Sequence, residues 1–276
     1  MTCTIHRTLD IKPPPAMPQT FEALKKSISE RYTVKGRYFR GTYQDTGLEA
    51  IAKDKANDHL RGNIIHANFR PRAQERYLLV KEHLSAYLQG SILDVGSRDA
   101  SSRQILGPQC VLVDKNNPDL PPFDWEKELL PYADNSFDSI VCLDVLEHIN
   151  RLHVAFDDLL RTSKKYIIIS LPNCWRKMFK QMLKGTGVGA GYGLPPEAPM
   201  DRHRWFFNTQ EMEEFLAYRS SCGPIKFRII KRVYHVPQAT ALHRIVYPIV
   251  MRLFPHRYTK NLLVNTAFFV LEKDKA

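Results

Sequence analysis

The sequence predicts an α/β protein built on a doubly wound, mostly parallel sheet. Short apolar runs alternate with segments of helical periodicity between residues 91 and 172, which is the pattern of parallel strands that helices cover on both faces. The composition agrees, because 276 residues with 43% apolar side chains can bury a large core in one domain. We therefore expect helices on both faces of one sheet.

The predicted elements follow one another in the order that such a sheet requires. A helix at 72–89 ends at Gly90, since glycine commonly follows the last helical residue. After it come a strand at 91–96, a short helix at 101–106, strands at 110–115 and 139–145, a helix at 150–164 and a strand at 166–172. Strands at 226–233 and 265–273 follow in the C-terminal part, where some antiparallel pairing is expected.

The chain divides into a predicted N-terminal extension, residues 1–70, and a main domain, residues 71–276. The extension holds a proline-rich arm at 1–19 and a short amphipathic helix at 21–32. Within the main domain, the segment 174–208 carries five glycines between Gly185 and Gly193, and we expect a lid insertion there. No apolar run reaches the roughly 18 residues of a spanning helix, and no signal peptide is expected.

Charge and cysteine usage restrict the partners and the compartment. The formal net charge of +11 favours anionic partners, which are nucleic acid, acidic substrates or an anionic membrane surface. The five cysteines are scattered and form no C-x-x-C pair, which argues against a disulfide framework and for a reducing compartment. We expect a cytoplasmic protein, with peripheral membrane contact as an option.

The segment SILDVGSRDA, residues 91–100, joins a buried strand to a turn. Gly96 lets the backbone turn sharply and approach a ligand, and Asp94 can accept a hydrogen bond or orient the turn. A dinucleotide site would need glycines where Arg98 and Ala100 stand, so pyrophosphate is a poor fit. Ligands of such sheets bind beyond the carboxyl ends of the strands, which makes this turn the first candidate site.

Acidic residues follow at a spacing that suits a nucleoside. Asp114 lies 18 residues after Gly96, close to the position of a ribose-binding acid, and a carboxylate can accept two hydrogen bonds. Asp124 is placed to reach a base edge, and Trp125 to cover a ring. A ribose and a base without a pyrophosphate indicate an adenosine ligand that carries no phosphate.

Four segments together resemble a known family. They are LDVGSRDASS from residue 93, LVDKN from residue 112, FDWEKELLPYADNSFDSIVCLDVLEHI from residue 123 and IISLPN from residue 168. Over residues 75–220 the chain is similar to class I S-adenosylmethionine-dependent methyltransferases of the broad type 11 kind. The resemblance implies a seven-stranded Rossmann-like sheet with an antiparallel C-terminal strand, and S-adenosylmethionine as the cofactor.

The resemblance also assigns the cofactor site. The predicted residues are the acidic loop residue Asp94, the turn glycine Gly96 with Ser97, the ribose acid Asp114 with Lys115, the adenine-side acid Asp124 with Trp125, and Leu143 and Asp144 after the fourth strand. Arg98 and Ala100 depart from the family's glycine pattern, at the backbone beside the methionine end of the cofactor.

Two histidines are the predicted catalytic residues. His148 could take a proton from a substrate hydroxyl during methyl transfer. Asp144 lies four residues earlier and would share its face on a helix. His203 and Arg204 are expected to contact the substrate from the lid, because they join basic groups to the aromatic sequence that follows.

No metal is predicted, but a metal site is an open alternative. Its ligands would be Asp144, Glu147, His148 and His203, an oxygen and nitrogen set suited to Mg²⁺ or Mn²⁺. This set is similar to the E-x-x-E-H…H arrangement of small-RNA 3′-terminal 2′-O-methyltransferases, and to the E-x-x-E-H of ubiquinone-pathway O-methyltransferases. Here an aspartate replaces the first glutamate.

The predicted function is S-adenosylmethionine-dependent methyl transfer to an oxygen of a glycan, a lipid-linked or another small-molecule acceptor. One alternative is an RNA 2′-O-methyltransferase with a metal-assisted site, which the net charge and the histidine pattern suggest. No RNA-binding module is visible, so nucleic acid is the less favoured partner. The other alternative is a non-catalytic cofactor-binding protein of the same fold, which Arg98 and Ala100 suggest.

Two segments, 174–185 and 241–260, combine apolar and basic residues. Both could contact an anionic membrane surface or a lipid-linked substrate. The favoured interpretation is instead that their apolar faces pack on the sheet while their bases are solvated.

Overall fold

The structure is a computed structural model that describes residues 63–67, 73–98, 102–189, 191–199, 201–237, 245–246, 249, 253 and 256–274. The predicted arm, the predicted helix at 21–32 and Ala100 lie outside these residues. The described elements are β1 (Ile64–Ala67), α1 (Ala73–Leu84), β2 (Ile92–Val95), α2 (Ser102–Leu106), β3 (Cys110–Val113), β4 (Phe137–Leu143), α3 (Leu152–Thr162), β5 (Ser163–Pro172), α4 (Cys174–Leu183), α5 (Thr209–Cys222), β6 (Phe227–Pro237), α6 (His256–Leu263) and β7 (Thr266–Lys273). Single 3₁₀ turns occur at Ser85–Tyr87 and Leu146–His148.

The described strands form one seven-stranded sheet in the order β1-β6-β7-β5-β4-β2-β3. β7 pairs antiparallel with both β5 and β6, and the other neighbouring pairs are parallel. This confirms the predicted mostly parallel, doubly wound sheet with an antiparallel C-terminal strand. The strand order reverses at β2, because β3 lies on one side of it and β4 on the other.

Strand β1 lies on the N-terminal side of the predicted boundary at residue 70. It pairs in parallel with β6, with Ile64 beside Tyr234 and Ile65 beside His235. The sheet therefore begins before the boundary that the sequence predicted. A strand of four residues between polar, glycine-punctuated segments is too short to produce a clear periodic signal.

The core has two layers, one on each face of the sheet. Along β4, Ile140 and Cys142 pack into one layer, and Val141 and Leu143 pack into the other. Successive side chains of a strand point to opposite faces, so a continuous apolar run is what a strand buried on both faces requires. Cys142 and Cys110 are buried core residues, as predicted.

A buried ion pair fixes the loop that precedes β4. The fully buried carboxylate of Asp158 on α3 accepts hydrogen bonds from Trp125 Nε1 at 2.8 Å and from the Leu130 amide at 2.7 Å. Arg161 binds the other carboxylate oxygen and also donates to the Tyr132 carbonyl. Because a buried charge is tolerated only when it is paired and hydrogen-bonded, this loop is held in one position against α3.

Helix α4 corrects the favoured interpretation of the segment 174–185. Its first residue, Cys174, is buried, but Trp175, Met182 and Leu183 are 52%, 69% and 72% exposed. The apolar face is therefore not packed on the sheet. None of the described helices is long and apolar enough to cross a membrane.

Candidate active site

A cavity of about 690 Å³ opens where the strand order reverses. One end is lined by the turn at Gly96, the loop at Asp114 and the loop at Asp124. The other end is lined by the 3₁₀ turn Leu146–His148, through Glu147 and His148, and by the lid residues 201–204. A cavity at the reversal of strand order is the position in which open α/β sheets bind ligands.

The turn after β2 requires glycine at Gly96. Its φ is +86°, and an added Cβ would come 2.2 Å from Cγ2 of Val145. The Gly96 amide donates to the Val113 carbonyl at 2.9 Å, so the turn is fixed against β3. The backbone of this turn can thus approach a ligand closely, as the sequence predicted.

Two predicted cofactor residues lie beneath this turn and do not line the cavity. The Asp94 carboxylate is fully buried and accepts a hydrogen bond from the Tyr77 hydroxyl at 2.9 Å. The hydroxyls of Ser97 and Ser102 are 2.6 Å apart. These contacts hold the turn in place from the side away from the cavity. Asp94 and Ser97 would therefore affect cofactor binding by positioning the backbone of the turn.

Burial raises the pKa of Asp94 to about 6, although the surrounding hydroxyls lower it. The pKa in the unfolded chain is about 3.9, so the folded value is the higher one. The contribution of the Asp94 carboxyl to the free energy of unfolding is therefore fully present below about pH 4, and it is lost as the pH rises through about 6.

We expect Asp94→Asn to gain stability over the wild type as the pH rises. Asparagine cannot ionise, yet its carbonyl oxygen can still accept from Tyr77. The free energy of unfolding of the wild type should fall relative to the variant by about 3 kcal/mol between about pH 4 and pH 8, at about 1.4 kcal/mol per pKa unit. Urea unfolding of both proteins at the two pH values measures this difference, and parallel pH profiles would contradict it.

Asp114 combines a structural role with a free acceptor. Its Oδ1 accepts from the amides of Asn116 at 2.7 Å and Asn117 at 2.9 Å. Among the described residues, none donates to its Oδ2, and the side chain lines the cavity. The carboxylate therefore caps its own loop with one oxygen and leaves the other for a ligand.

The loop at Asp124 differs from its prediction in one respect. Asp124 lines the cavity and pairs with Lys115 at 3.0 Å. Burial opposes ionisation, but hydrogen bonds from Lys115 and the Glu126 amide lower the pKa of Asp124 below its ordinary value. Trp125 also lines the cavity, but it is only 2% exposed and its indole nitrogen is bonded to Asp158, so it anchors the loop.

Asp144 does not face His148. It lies in the left-handed region, with φ of +51°, just before a single 3₁₀ turn that replaces the predicted start of a helix. Its carboxylate pairs with Arg76 of α1 at 2.9 Å and accepts from the Ser170 hydroxyl. Asp144 and its neighbour Leu143 line the cavity as predicted, whereas the contribution of Arg76 had no signal in the sequence.

The two predicted catalytic histidines meet at the lid end of the cavity. The rings of His148 and His203 are 4.5 Å apart between centroids, in an edge-to-face arrangement, and Tyr192 lies 4.4 Å beyond His203. Asp201 Oδ1 lies 2.8 Å from His148 Nδ1. Burial, and then the neighbouring His148, lower the pKa of His203 to about 4.

Glu147 joins the lid to this turn. Its carbonyl accepts from the amides of Arg204 at 2.7 Å and Trp205 at 3.2 Å, and the Trp205 indole donates to the Ile149 carbonyl at 2.7 Å. Its carboxyl is buried 3.6 Å from His148 Nε2. Burial and the charge of Asp144 raise the pKa of Glu147 well above its usual range, which favours the neutral acid.

Three of the four residues in the metal alternative come together. Ligand atoms of Glu147, His148 and His203 lie within 4.8 Å of one another. Asp144 is outside this group in the part of the chain that is described, because Arg76 and Ser170 hold its carboxylate. The sequence did not single out Tyr192, and it did not indicate that Asp201 contacts His148.

The fold and the cavity define a class of protein. The sheet order, the reversed last strand and the cavity at the turn after β2 agree with the architecture that the resemblance to class I methyltransferases implies. A family model described as a methyltransferase domain matches residues 59–218, more than half of the chain. The chain therefore belongs to this family of methyltransferase domains, which confirms the predicted class I S-adenosylmethionine-dependent methyltransferase and its cofactor, S-adenosylmethionine.

Solved structures with similarity to the chain have low sequence identity. Magnesium protoporphyrin IX methyltransferase from Synechocystis PCC 6803 with bound SAH has 14% identity and a TM-score of 0.43, covering 73% of this chain and 83% of that one. The methyltransferase domain of bacterial CtHen1-C has 15% identity and a TM-score of 0.44, covering 72% and 97%. A SAM-dependent methyltransferase from Archaeoglobus fulgidus has 16% identity and a TM-score of 0.41, covering 72% and 94%. A search of curated proteins returned no match.

Proposed function

We propose that the protein transfers the methyl group of S-adenosylmethionine to an oxygen atom of a small-molecule, glycan or lipid-linked acceptor. One observation carries this proposal: the same cavity is lined by Gly96 and Asp114 at one end and by His148 and His203 at the other. A cofactor bound at the first end would present its methyl group toward the histidines.

The residues at the first end suit the cofactor. The glycine turn leaves room for close backbone approach, and the free Oδ2 of Asp114 is an acceptor for a ribose hydroxyl. Asp124, paired with Lys115, lies in the adjoining loop. When bound, S-adenosylmethionine supplies an electrophilic methyl group, and positioning of the acceptor oxygen in line with it is the main contribution of the protein.

The residues at the second end suit an acceptor that must lose a proton. Asp201 Oδ1 lies 2.8 Å from Nδ1 of His148, and Nε2 of the same ring lies 3.6 Å from the carboxyl of Glu147. A histidine oriented through one nitrogen can accept a proton at the other. We therefore assign His148 as the base, with Asp201 as its positioning residue and His203 packed against its ring.

The lid end also favours an acceptor that carries negative charge. Lys177, Arg202 and Arg204 line this end of the cavity, and none of them forms an ion pair with the residues that the structure describes. Lys177 lies over the ring of Tyr192, 4.9 Å from its centroid. Unpaired bases around a cavity attract anionic groups such as carboxylates or phosphates.

Calorimetry with S-adenosylmethionine, followed by transfer from labelled cofactor to fractionated cell extract, tests this proposal. We expect binding, and an extract component that gains the mass of one CH₂ group. Absence of cofactor binding would contradict the proposal. Binding without transfer to any fraction would instead favour the non-catalytic alternative.

Asp114→Asn should weaken cofactor binding while preserving the loop. The asparagine oxygen can still accept from the amides of Asn116 and Asn117, but an NH₂ group replaces the free acceptor. Loss of a hydrogen bond to a charged group costs about 1.5–3 kcal/mol, or about 10- to 150-fold in Kd. Calorimetry measures the change, and Asp119→Asn, in the same loop but away from the cavity, is the control. A Kd within twofold of the wild type would show that Asp114 only caps its loop and does not bind the cofactor.

The second candidate is a metal-assisted RNA 2′-O-methyltransferase. The cluster of Glu147, His148 and His203 supports it, since two imidazoles and a carboxylate can coordinate a divalent cation. A bound cation would orient the acceptor hydroxyl. Transfer that a chelator abolishes and Mn²⁺ restores, together with salt-dependent affinity for short RNA, would favour this function; transfer that is indifferent to chelators would exclude its metal-assisted form.

A further inference from the structure

We infer that helix α4 is a docking surface for an anionic lipid bilayer. Trp175, Phe179, Met182 and Leu183 are all exposed, and their spacing places them on one face of the helix. A helix with such an apolar face and a basic face can lie in the plane of a membrane interface. We define the apolar docking face as these four residues.

The first turn of α4 is fixed to the protein. Asn173 caps the helix by accepting from the Trp175 and Arg176 amides, and its amide group donates to carbonyls of Asn261 and Val264. Arg176 Nε donates to the Leu263 carbonyl at 3.0 Å. The docking face is therefore exposed although the first turn of the helix is well anchored.

The charge around the docking face is complementary to an anionic surface. Arg176, Lys177, Lys180 and Lys184 lie on or directly after the helix, and no aspartate or glutamate occurs between residues 159 and 196. Lys180 and Lys184 are exposed and four residues apart, so they share one side of the helix. Bases near the surface of an anionic leaflet strengthen binding, and acids would weaken it.

This charge decides between a bilayer and a second copy of the chain. Two copies that met through the docking face would bring their unneutralised lysines together, and the net charge of +11 would oppose the approach. An anionic bilayer meets both requirements at once, because it covers the apolar side chains and neutralises the lysines.

The docking face lies beside the acceptor end of the cavity. Asn173 and Lys177, from the cap and first turn of α4, line the cavity. The lid that follows α4 carries Leu194, whose side chain is almost entirely exposed. A protein docked through α4 would therefore hold the lid end of its cavity within one helix diameter, about 10 Å, of the membrane surface.

Vesicle flotation with the full-length protein tests this inference, using phosphatidylcholine vesicles and vesicles of phosphatidylcholine mixed with phosphatidylserine. The protein is expected to float with the mixed vesicles and to be released by salt. Lys180→Gln/Lys184→Gln should weaken that binding by about 30-fold, and Trp175→Ser/Met182→Ser by a similar factor of about 30.

Leu129→Ser is the matched control. Leu129 is also exposed. The carbonyl of its neighbour Leu130 accepts a hydrogen bond from Arg161 at the end of α3, just before β5 begins. Helix α4, in contrast, starts after β5 ends. Leu129 therefore lies near the opposite end of β5 from α4, and its substitution should leave vesicle binding unchanged. The assay contains no cofactor, so its result is independent of the proposed methyl transfer.

Three results would overturn the inference. One is equal binding of the wild type and the two double variants to mixed vesicles. Another is binding to neutral vesicles as strong as binding to anionic ones. The third is failure to float, accompanied by a dimer in solution that Trp175→Ser/Met182→Ser dissociates, which would assign the docking face to a second copy.

Discussion

Gly96→Val is expected to abolish S-adenosylmethionine binding. An added Cβ would lie 2.2 Å from Val145 Cγ2, and the backbone has a φ of +86° that side chains with a branched Cβ rarely adopt. Left-handed geometry costs about 1–2 kcal/mol per residue, and overpacking adds about 1–3 kcal/mol. The turn must move to relieve both, and a moved turn no longer offers the same backbone path to the cofactor.

Alanine variants separate the steric clash from the backbone strain. Gly96→Ala should weaken cofactor binding by about 30- to 100-fold. Alanine causes both the clash with Val145 and the backbone strain, but its side chain is smaller than that of valine. Adding Val145→Ala removes the clashing methyl group, so the double variant should bind the cofactor about tenfold more tightly than Gly96→Ala alone. Gly187→Ala is the control, because its Cβ would meet nothing within 4 Å.

Calorimetry, combined with thermal melting, distinguishes lost binding from lost folding. Variants that melt near the wild-type temperature yet bind poorly locate the defect in the turn. If Gly96→Ala binds like Gly187→Ala, the cofactor does not approach this turn, and the cofactor site must lie elsewhere.

The sequence predicted the turn and its acidic partners because those features are local. The spacing of Asp94, Gly96 and Asp114 follows from a strand, a short helix and a second strand in succession, and each of those elements has a clear apolar pattern. The continuous apolar runs likewise identified the buried strands, since burial on both faces removes the alternation of polar residues.

Features that depend on tertiary contacts could not be predicted from the sequence. Arg76 and Tyr77 reach the site from α1, but on the sequence they are ordinary helix residues. The indole of Trp125 was expected over a ligand, yet the buried Asp158, 33 residues further on, holds it in the core. No periodicity within one segment can report a partner that lies in another.

The exposure of the apolar face of α4 could not be predicted from the sequence either. A pattern of apolar residues indicates which face is apolar, but it does not indicate whether the protein itself covers that face. In α4 the anchoring is done by polar groups, through the cap at Asn173 and the bond from Arg176 to a carbonyl. The apolar side chains are therefore left available for an external surface.

His148→Gln is expected to lower the rate of methyl transfer by about 10²- to 10⁴-fold, the usual contribution of a general base. Glutamine is polar and of similar length, but its amide cannot accept a proton near neutral pH. The initial rate at saturating cofactor is measured with the extract fraction that accepts the labelled methyl group. His83→Gln, on α1 and away from the cavity, is the control.

The cofactor end should be unaffected by this change. His148 is grouped with Asp201 and His203 on the lid side, and it is not one of the residues that suit S-adenosylmethionine. The Kd for the cofactor in His148→Gln should therefore stay within about threefold of the wild type, a difference below 1 kcal/mol. Loss of rate with retained affinity is the signature of an interaction made in the transition state.

Asp201→Asn tests how His148 is oriented. Asp201 lies 2.8 Å from His148 Nδ1, and an asparagine oxygen can still accept from that nitrogen but cannot stabilise an imidazolium by charge. The rate should fall by about tenfold, less than in His148→Gln, because the asparagine keeps the hydrogen bond but not the charge. If Asp201→Asn lowers the rate as much as His148→Gln, Asp201 acts by holding the lid in place. If His148→Gln itself retains the wild-type rate, the proton goes elsewhere, and the His148 ring serves only to pack against His203 beneath the lid.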